Sequence, residues 1–362
     1  MKSSLIINYD KKPAYEIQYK PDFSELAQAL ITLGMENRRF MIITESTVGA
    51  LYLKDLREEI SKVSNVVYDF TFPAGEASKN LDIVNQCYEQ LILSSFDRND
   101  VLIALGGGVV GDLTGFVAAT YLRGIRFIQV PTSLLAMVDS SIGGKTGVDY
   151  KAYKNMVGAF HQPKLVYMNL NTLNTLSDRE FASGMGEIIK HGLIKNNEYF
   201  LWLKKNFEAI LDKKYEVIKE MIYESCLVKK AVVEEDPMEK KDRALLNFGH
   251  TIGHSIEKLM NFSLLHGECV SVGMAGAAFL SQKRGYISKA EYEDIISTLK
   301  LFRQPVTVSG LMAENVYEVT KLDKKMDSDQ IKFILLRDMG NAFIDSTVSK
   351  EEMLHAIEAL LI

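Results

Sequence analysis

Glu187 and a cluster of histidines are the residues of this chain best equipped for chemistry. Three of its six histidines lie close together: His250 and His254 one helical turn apart, and His266 shortly after. Glu187 stands within Gly184 to Lys190 (GMGEIIK), with Lys190 one turn later on the same helix face. One carboxylate and two imidazoles, with a coordination position left open, commonly hold a catalytic Zn2+. Spacing alone leaves the ligand set open. His191, one turn after Glu187, is as eligible as the others. The residue after His250 is Thr251, where a zincin helix carries its general-base glutamate. Polar residues satisfied inside a helical core are the competing reading.

A second chemical feature is a glycine turn. The apolar run Val101 to Leu105 empties into Gly106, Gly107, Gly108 and, three residues on, Gly111. Strand, glycine turn and helix lay an anion against bare backbone N–H groups. The pattern fits a nucleotide pyrophosphate site, but not the common Rossmann arrangement. It sits on a middle strand, and no acidic residue ends a strand about 20 positions later. A further apolar run, Phe127 to Val130, stops at Pro131 and leads to Asp139, Gly143, Gly144 and Lys145. Lys145, Lys154 (beside Asn155), Lys190, Lys229, Arg243 and the pair Lys324 and Lys325 recur beside glycine or in the polar segments. Singly these are solvated surface charges. As a set around a metal and a nucleotide they suit a phosphorylated substrate.

The elements that must position these residues read as two kinds. Up to about residue 178, strands alternate with helices: a hairpin from Ser4 to Tyr19, strands at Arg39 to Thr44, Val66 to Phe72 and Val101 to Leu105, and helices between them. Such alternation means βαβ units and a parallel sheet. From Arg179 helical periodicity dominates, broken by a short β excursion at Ile331 to Leu336 and Asn341 to Ile344. The expected architecture is a Rossmann-like parallel-sheet domain over 1–178, carrying the nucleotide site, and a mainly helical metal- and substrate-binding domain over 179–362. The active site is expected between them.

Composition excludes several classes. With 362 residues, 47% hydrophobic and 25% charged, the chain has the make-up of a globular protein of two domains. A net charge of −5 provides no basic field for nucleic acid. No apolar run reaches the ~20 residues that span a bilayer. The N-terminus lacks a signal-peptide core, so a cytoplasmic location is expected. Cys87, Cys226 and Cys269 form no CxxC, which argues against a disulfide framework or thiolate metal site.

The longer motifs resemble one family. Gly106 to Asp112 (GGGVVGD), Pro131 to Val148 (PTSLLAMVDSSIGGKTGV), Gly184 to Lys190, Leu246 to His254 (LNFGHTIGH) and Leu265 to Glu268 (LHGE) are similar to 3-dehydroquinate synthase. The resemblance runs over nearly the whole chain in the family's order. It implies conversion of 3-deoxy-D-arabino-heptulosonate 7-phosphate (DAHP) to 3-dehydroquinate and phosphate, in the shikimate route. The implied course is transient oxidation by NAD, phosphate elimination, re-reduction and intramolecular aldol closure, with a Zn2+ or Co2+ ion.

Residue by residue, the resemblance makes Glu187, His250 and His266 the metal ligands, and His191 a bystander. It lays NAD along Gly75, Glu76 and Lys79, along Gly108, Val109, Val110, Gly111 and Asp112, and along Thr132 and Ser133. Lys145, Lys154, Thr172, Leu173, Asn174 and Thr175 complete that site. Substrate contacts fall to Asp139, Lys145, Asn155, Lys190, Lys229, Arg243, Asn247, His254 and one of Lys324 and Lys325. Arg123 resembles a residue lent to a neighbouring subunit's phosphate site, which implies a homodimer. Ser133, Met137, Asp149 and the stretch Tyr150 to Tyr153 depart from the family's usual residues. The competing readings are a relative acting on another sugar phosphate (a 2-epi-5-epi-valiolone or 2-deoxy-scyllo-inosose synthase type) and a metal-dependent polyol dehydrogenase.

Overall fold

Apolar runs in the first half of the chain become strands of one sheet because both of their faces are covered. The computed structural model describes residues 3–151, 153–239, 242–261, 263–324 and 332–362, and divides into two units, Met1–Leu176 and Ser177–Ile362. The first unit runs β1 (Ser4–Tyr9), β2 (Lys12–Lys20), α1 (Leu26–Thr32), β3 (Phe40–Glu45), α2 (Ser46–Ile60), β4 (Val67–Phe72) and α3 (Leu81–Leu93). It continues with β5 (Val101–Gly106), α4 (Gly108–Thr120), β6 (Arg126–Pro131), β7 (Lys145–Tyr150), β8 (Tyr153–Phe160) and β9 (Leu165–Asn169). Seven strands form the sheet β1-β2-β9-β6-β5-β3-β4, parallel throughout except for the edge strand β1.

Side chains of a strand alternate between faces, and the two cores of this unit follow that rule. Phe40 and Ile42 of β3, with Ile103 of β5 and Ile128 of β6, pack against Leu26, Leu30, Leu56 and Ile60 of α1 and α2. Met41 and Ile43, with Leu102 and Phe127, pack against Val84, Cys87, Leu113 and Val117 of α3 and α4. Strands β7 and β8 stand apart as an antiparallel hairpin against α4. Sequence periodicity gives no sign of it: KTGVDY does not alternate cleanly, and Gly147 and Gly158 lie where the two backbones nearly touch.

The second unit comprises α5 (Asp178–Lys195), α6 (Asn197–Lys205), α7 (Phe207–Leu211), α8 (Tyr215–Glu235), α9 (His250–Leu259), α10 (His266–Lys283), α11 (Lys289–Leu301), α12 (Ala313–Lys324), β10 (Phe333–Asp338), β11 (Asn341–Asp345) and α13 (Lys350–Glu358). The unit is mainly helical, and the expected β excursion is a pair of strands. β10 and β11 pair antiparallel, and Phe333 to Leu336 are buried. This strand packs on α10, where Ser281 Oγ accepts a 3.0 Å hydrogen bond from Leu336 N–H. Among the described residues no helix is long and apolar enough to cross a membrane.

Arg284, just past α10, fastens the end of the chain. Its guanidinium donates to Asp345 Oδ2 at 2.8 Å and to both Glu352 oxygens of α13 at 2.7 Å. Asp345 is 7% exposed, so removing Arg284 leaves a buried carboxylate without its cation. Arg284→Ala should therefore cost about 3 kcal/mol, read as a lowered Tm. The pair also makes stability sensitive to acid. Hydrogen bonding to Arg284, chiefly, holds Glu352 at about 2, below its ordinary 4.5. Its contribution is complete above pH 4.5 and is lost as pH falls toward 2. Glu352→Gln should flatten the Tm profile across that window, measured by thermal melts at stepped pH.

Candidate active site

In the second unit, three helices bring the predicted metal residues together. Glu187 and Lys190 lie on α5, His250 and His254 on α9, and His266 opens α10. α9 begins later than helical periodicity suggests, because Gly249 precedes it in a left-handed conformation (φ +81°). The helices approach with no room for a side chain between them. A Cβ on Gly273 would lie 1.8 Å from Gly249 O, and one on Gly267 would lie 1.8 Å from Ser183 O. The first contact ties α10 to the start of α9, the second to α5. Arg179 of α5 adds a bidentate pair to Glu268 of α10, both contacts at 2.7 Å.

The resulting geometry is tight. Glu187 is fully buried, and one carboxylate oxygen, Oε2, pairs with the Lys190 ammonium. The other, Oε1, has no hydrogen-bond partner and lies 3.7 Å from His250 Nε2 and 3.7 Å from His266 Nε2. At that separation these are not mutual hydrogen bonds. A buried carboxylate oxygen and two imidazole nitrogens converging in this way form a donor set that fits a divalent cation. His254 belongs to the same cluster: ligand atoms of His250, His254 and His266 all lie within 4.8 Å of one another. His191 points elsewhere, its Nδ1 2.7 Å from Ser225 Oγ on α8.

Electrostatics set the protonation of these groups. Burial would raise Glu187, but Lys190, His266 and His250 outweigh it and hold the carboxyl well below its ordinary value. Burial, aided by Lys190, pushes His250 well down, to the neutral form that ligates metals. His266 is pushed up to about 9: burial opposes this, and the carboxylates of Glu187 and Glu257 prevail. Lys190, Lys229 and Arg243 are all buried. Arg243 follows α8 in a short 3-10 turn, its guanidinium donating to Pro237 O at 2.6 Å. Asn247 ends the same turn, Nδ2 3.4 Å from Glu239 Oε1. Lys325 and the Lys324 side chain lie outside the described residues.

In the first unit, the predicted nucleotide residues share one edge of the sheet. Gly75, Glu76 and Lys79 follow β4, Gly108 to Asp112 follow β5, Thr132 and Ser133 follow β6, and Thr172 to Thr175 follow β9. These four strands are parallel, so all their carboxyl ends lie on one side, where open α/β sheets bind ligands. Lys79 organises the edge. Its ammonium donates to Asp112 Oδ2 and to Asn155 Oδ1, both at 2.6 Å. Burial pushes Lys79 down, but Asp112, Glu76 and Asp149 outweigh it and the net shift is upward. Burial pushes Asp112 up, and Lys79 only partly offsets that. The pair is best described as an ion pair: its 2.6 Å contact and the upward shift of Lys79 both favour the charged forms.

Asp149 is the residue that sequence reasoning treated only as a departure. Its N–H donates to Lys79 O and its carboxylate accepts from Asn155 N–H, each at 2.8 Å, so it holds the hairpin against the Lys79 loop. Lys154 reaches Glu76 at 3.6 Å. Tyr52 O–H and Thr175 Oγ1 lie 2.5 Å apart, tying the β9 loop to α2. Lys145 starts β7, and Asp139 lies on the single π-helical turn Ala136–Ser140. Arg123 sits at the opposite end of α4 from Gly108, exposed on a turn with positive φ at Leu122 and Arg123. A second residue missed from sequence is Glu257. Its spacing from His250 and His254 places it on their face of α9, a signal that was available.

The first unit is a parallel α/β sheet, and the second a helical unit whose Glu187, His250 and His266 converge. Residues 69–183 match the model of the 3-dehydroquinate synthase N-terminal domain, and residues 184–326 that of its C-terminal domain. The chain is 40% identical over 348 residues to the 3-dehydroquinate synthase of Acetivibrio thermocellus, covering 96% of each chain. It is 45% identical over 323 residues to that of Vesicomyosocius okutanii, covering 87% of this chain and 88% of the relative. In fold it is similar to the 2-epi-5-epi-valiolone synthase of Streptomyces hygroscopicus, solved with NAD+ and Zn2+ (TM-score 0.89, 24% identity, covering 98% and 99% of the chains). A 2-deoxy-scyllo-inosose synthase with carbaglucose-6-phosphate, NAD+ and Co2+ is also similar (TM-score 0.85, 23% identity, 99% and 100%). The chain belongs to the 3-dehydroquinate synthase family.

The close helix contacts make a direct prediction. Gly267→Ala forces α10 away from Ser183, so it should cost on the order of 1–3 kcal/mol and weaken Zn2+ binding together with it. Gly34→Ala, at a site open to solvent, should leave Zn2+ affinity unchanged. Thermal melts and Zn2+ titration of both variants check this.

Proposed function

We propose that this protein is a carbon–oxygen lyase that converts DAHP to 3-dehydroquinate and phosphate. The observation that carries the reading is Glu187 Oε1, buried without a hydrogen-bond partner and facing Nε2 of both His250 and His266. Family membership adds the substrate and the cofactors. Glu187, His250 and His266 would hold Zn2+ or Co2+, and the carboxyl edge of the first unit's sheet would hold NAD. When bound, the nicotinamide supplies reversible hydride exchange and the metal supplies Lewis-acid polarisation of the ring alcohol being oxidised.

The chain's own groups do the rest by positioning. Lys190 holds Glu187 Oε2, which fixes the carboxylate and leaves Oε1 directed at the two imidazoles. Lys229 and Arg243 place buried positive charge in the same unit, suited to an anionic substrate. We assign His254 to the substrate on the family resemblance, and His250 and His266, each with Nε2 3.7 Å from Glu187 Oε1, to the metal. In the first unit, Lys79 holds Asn155 in place, and Asp139 and Lys145 belong to the segment assigned to substrate recognition. A homodimer, in which the exposed Arg123 serves the partner's phosphate site, and a cytoplasmic location complete the proposal.

Purified protein with DAHP, NAD+ and Zn2+ should release phosphate and form 3-dehydroquinate without net NADH. Absence of phosphate release, or stoichiometric NADH, overturns the reading in favour of a different sugar-phosphate substrate or a dehydrogenase. His250→Ala should abolish both Zn2+ binding and turnover. Lys145→Ala should raise KM for DAHP by roughly tenfold or more, the worth of one charge-assisted hydrogen bond, with metal content unchanged.

A further inference from the structure

His266 stands between two carboxylates, one for each ring nitrogen. Its Nε2 lies 3.7 Å from Glu187 Oε1 and its Nδ1 lies 3.7 Å from Glu257 Oε2. The Glu257 side chain is only 6% exposed. Its position on α9 puts it on the face that carries His250 and His254. A carboxylate is costly to bury unless it meets donors, and the His266 ring is one that it faces. His250 has a counterpart arrangement with a neutral acceptor: its Nδ1 lies 3.2 Å from Phe248 O, while its Nε2 faces Glu187 Oε1. In both rings Nδ1 faces an acceptor and Nε2 is the nitrogen turned toward Glu187.

We propose that Glu257 is a positioning residue for the metal centre. Its carboxylate, 3.7 Å from His266 Nδ1, is the charged partner behind that ring, restrains the plane of the imidazole and keeps Nε2 turned toward Glu187. A ligating imidazole backed by a carboxylate is oriented and more basic than one backed by a carbonyl. The two histidine ligands are therefore unequal: His266 is the stronger donor and His250 the weaker. Glu257 itself does not touch the metal. This inference rests on the ligand assignment Glu187, His250 and His266 made above.

The test is Zn2+ affinity of the full-length protein, stripped with a chelator and titrated against a chromophoric competitor. Glu257→Gln keeps the shape and removes the charge, and should weaken Zn2+ binding on the order of tenfold, with Glu257→Ala nearer a hundredfold. The melting temperature of metal-free Glu257→Gln should stay at the wild-type value. The visible Co2+ spectrum of Glu257→Gln should shift, since the field of one ligand has changed. Asp345→Asn, which neutralises another buried carboxylate of the same unit, should lower Tm and leave Zn2+ affinity intact. Wild-type Zn2+ affinity and an unshifted Co2+ spectrum in Glu257→Gln overturn the proposal, as does an equal loss of affinity in Asp345→Asn. Should Glu257→Ala not fold, Glu257→Gln alone decides. Wild-type protein that binds no Zn2+ would sink the metal centre itself, a result distinct from an inert Glu257.

Discussion

Close approach of backbone to backbone is the constraint on which the second unit depends. At Gly267 and Gly273 there is no volume for even one methyl group, because carbonyl oxygens of Ser183 and Gly249 occupy it. α10 is thereby pressed on α5 on one side and on α9 on the other. The donors then meet as a consequence: Glu187 comes from α5, His250 and His254 from α9, and His266 from the first turn of α10. Rigid elements in contact hold ligands more accurately than loops do.

That accuracy has an electrostatic cost. A fully buried carboxylate is unfavourable in isolation, and an ion pair with Lys190 offsets only part of its desolvation. The other oxygen faces the imidazoles of His250 and His266, which add to Lys190 in holding the carboxyl ionised. The first unit handles the same difficulty differently. Lys79, nearly buried, shares its charge between Asp112 and the side-chain oxygen of Asn155, and so links the helix after the glycine turn to the β7–β8 hairpin.

Much of the fold was legible in the sequence. Runs such as Phe40 to Thr44 and Val101 to Leu105 read as strands because they are apolar on both faces, and the structure covers both. Periodicity failed where other forces decide. The β7–β8 hairpin is defined by its partner and its glycines, and β9 is too short to stand out. Of the site, motif resemblance supplied Glu187, His250 and His266, while spacing alone could not separate them from His191 or His254. Only the packing of α8 shows His191 turned toward Ser225. Glu257 went unread because a glutamate in a helix looks like a solvated charge until its burial is known.

The place of β9 in the sheet has a consequence for how the protein is made. This strand, last of the first unit, is inserted between β2 and β6, so that Glu16 is aligned with Leu165. The N-terminal hairpin therefore has no neighbour to join until nearly the whole unit has been synthesised. Pairings so distant along the chain are slow to form, and until then β2 presents an unpaired edge. The second unit starts at Ser177, one short 3-10 turn beyond β9. A first unit cut short before β9 would therefore leave its sheet in two pieces, with the N-terminal hairpin detached.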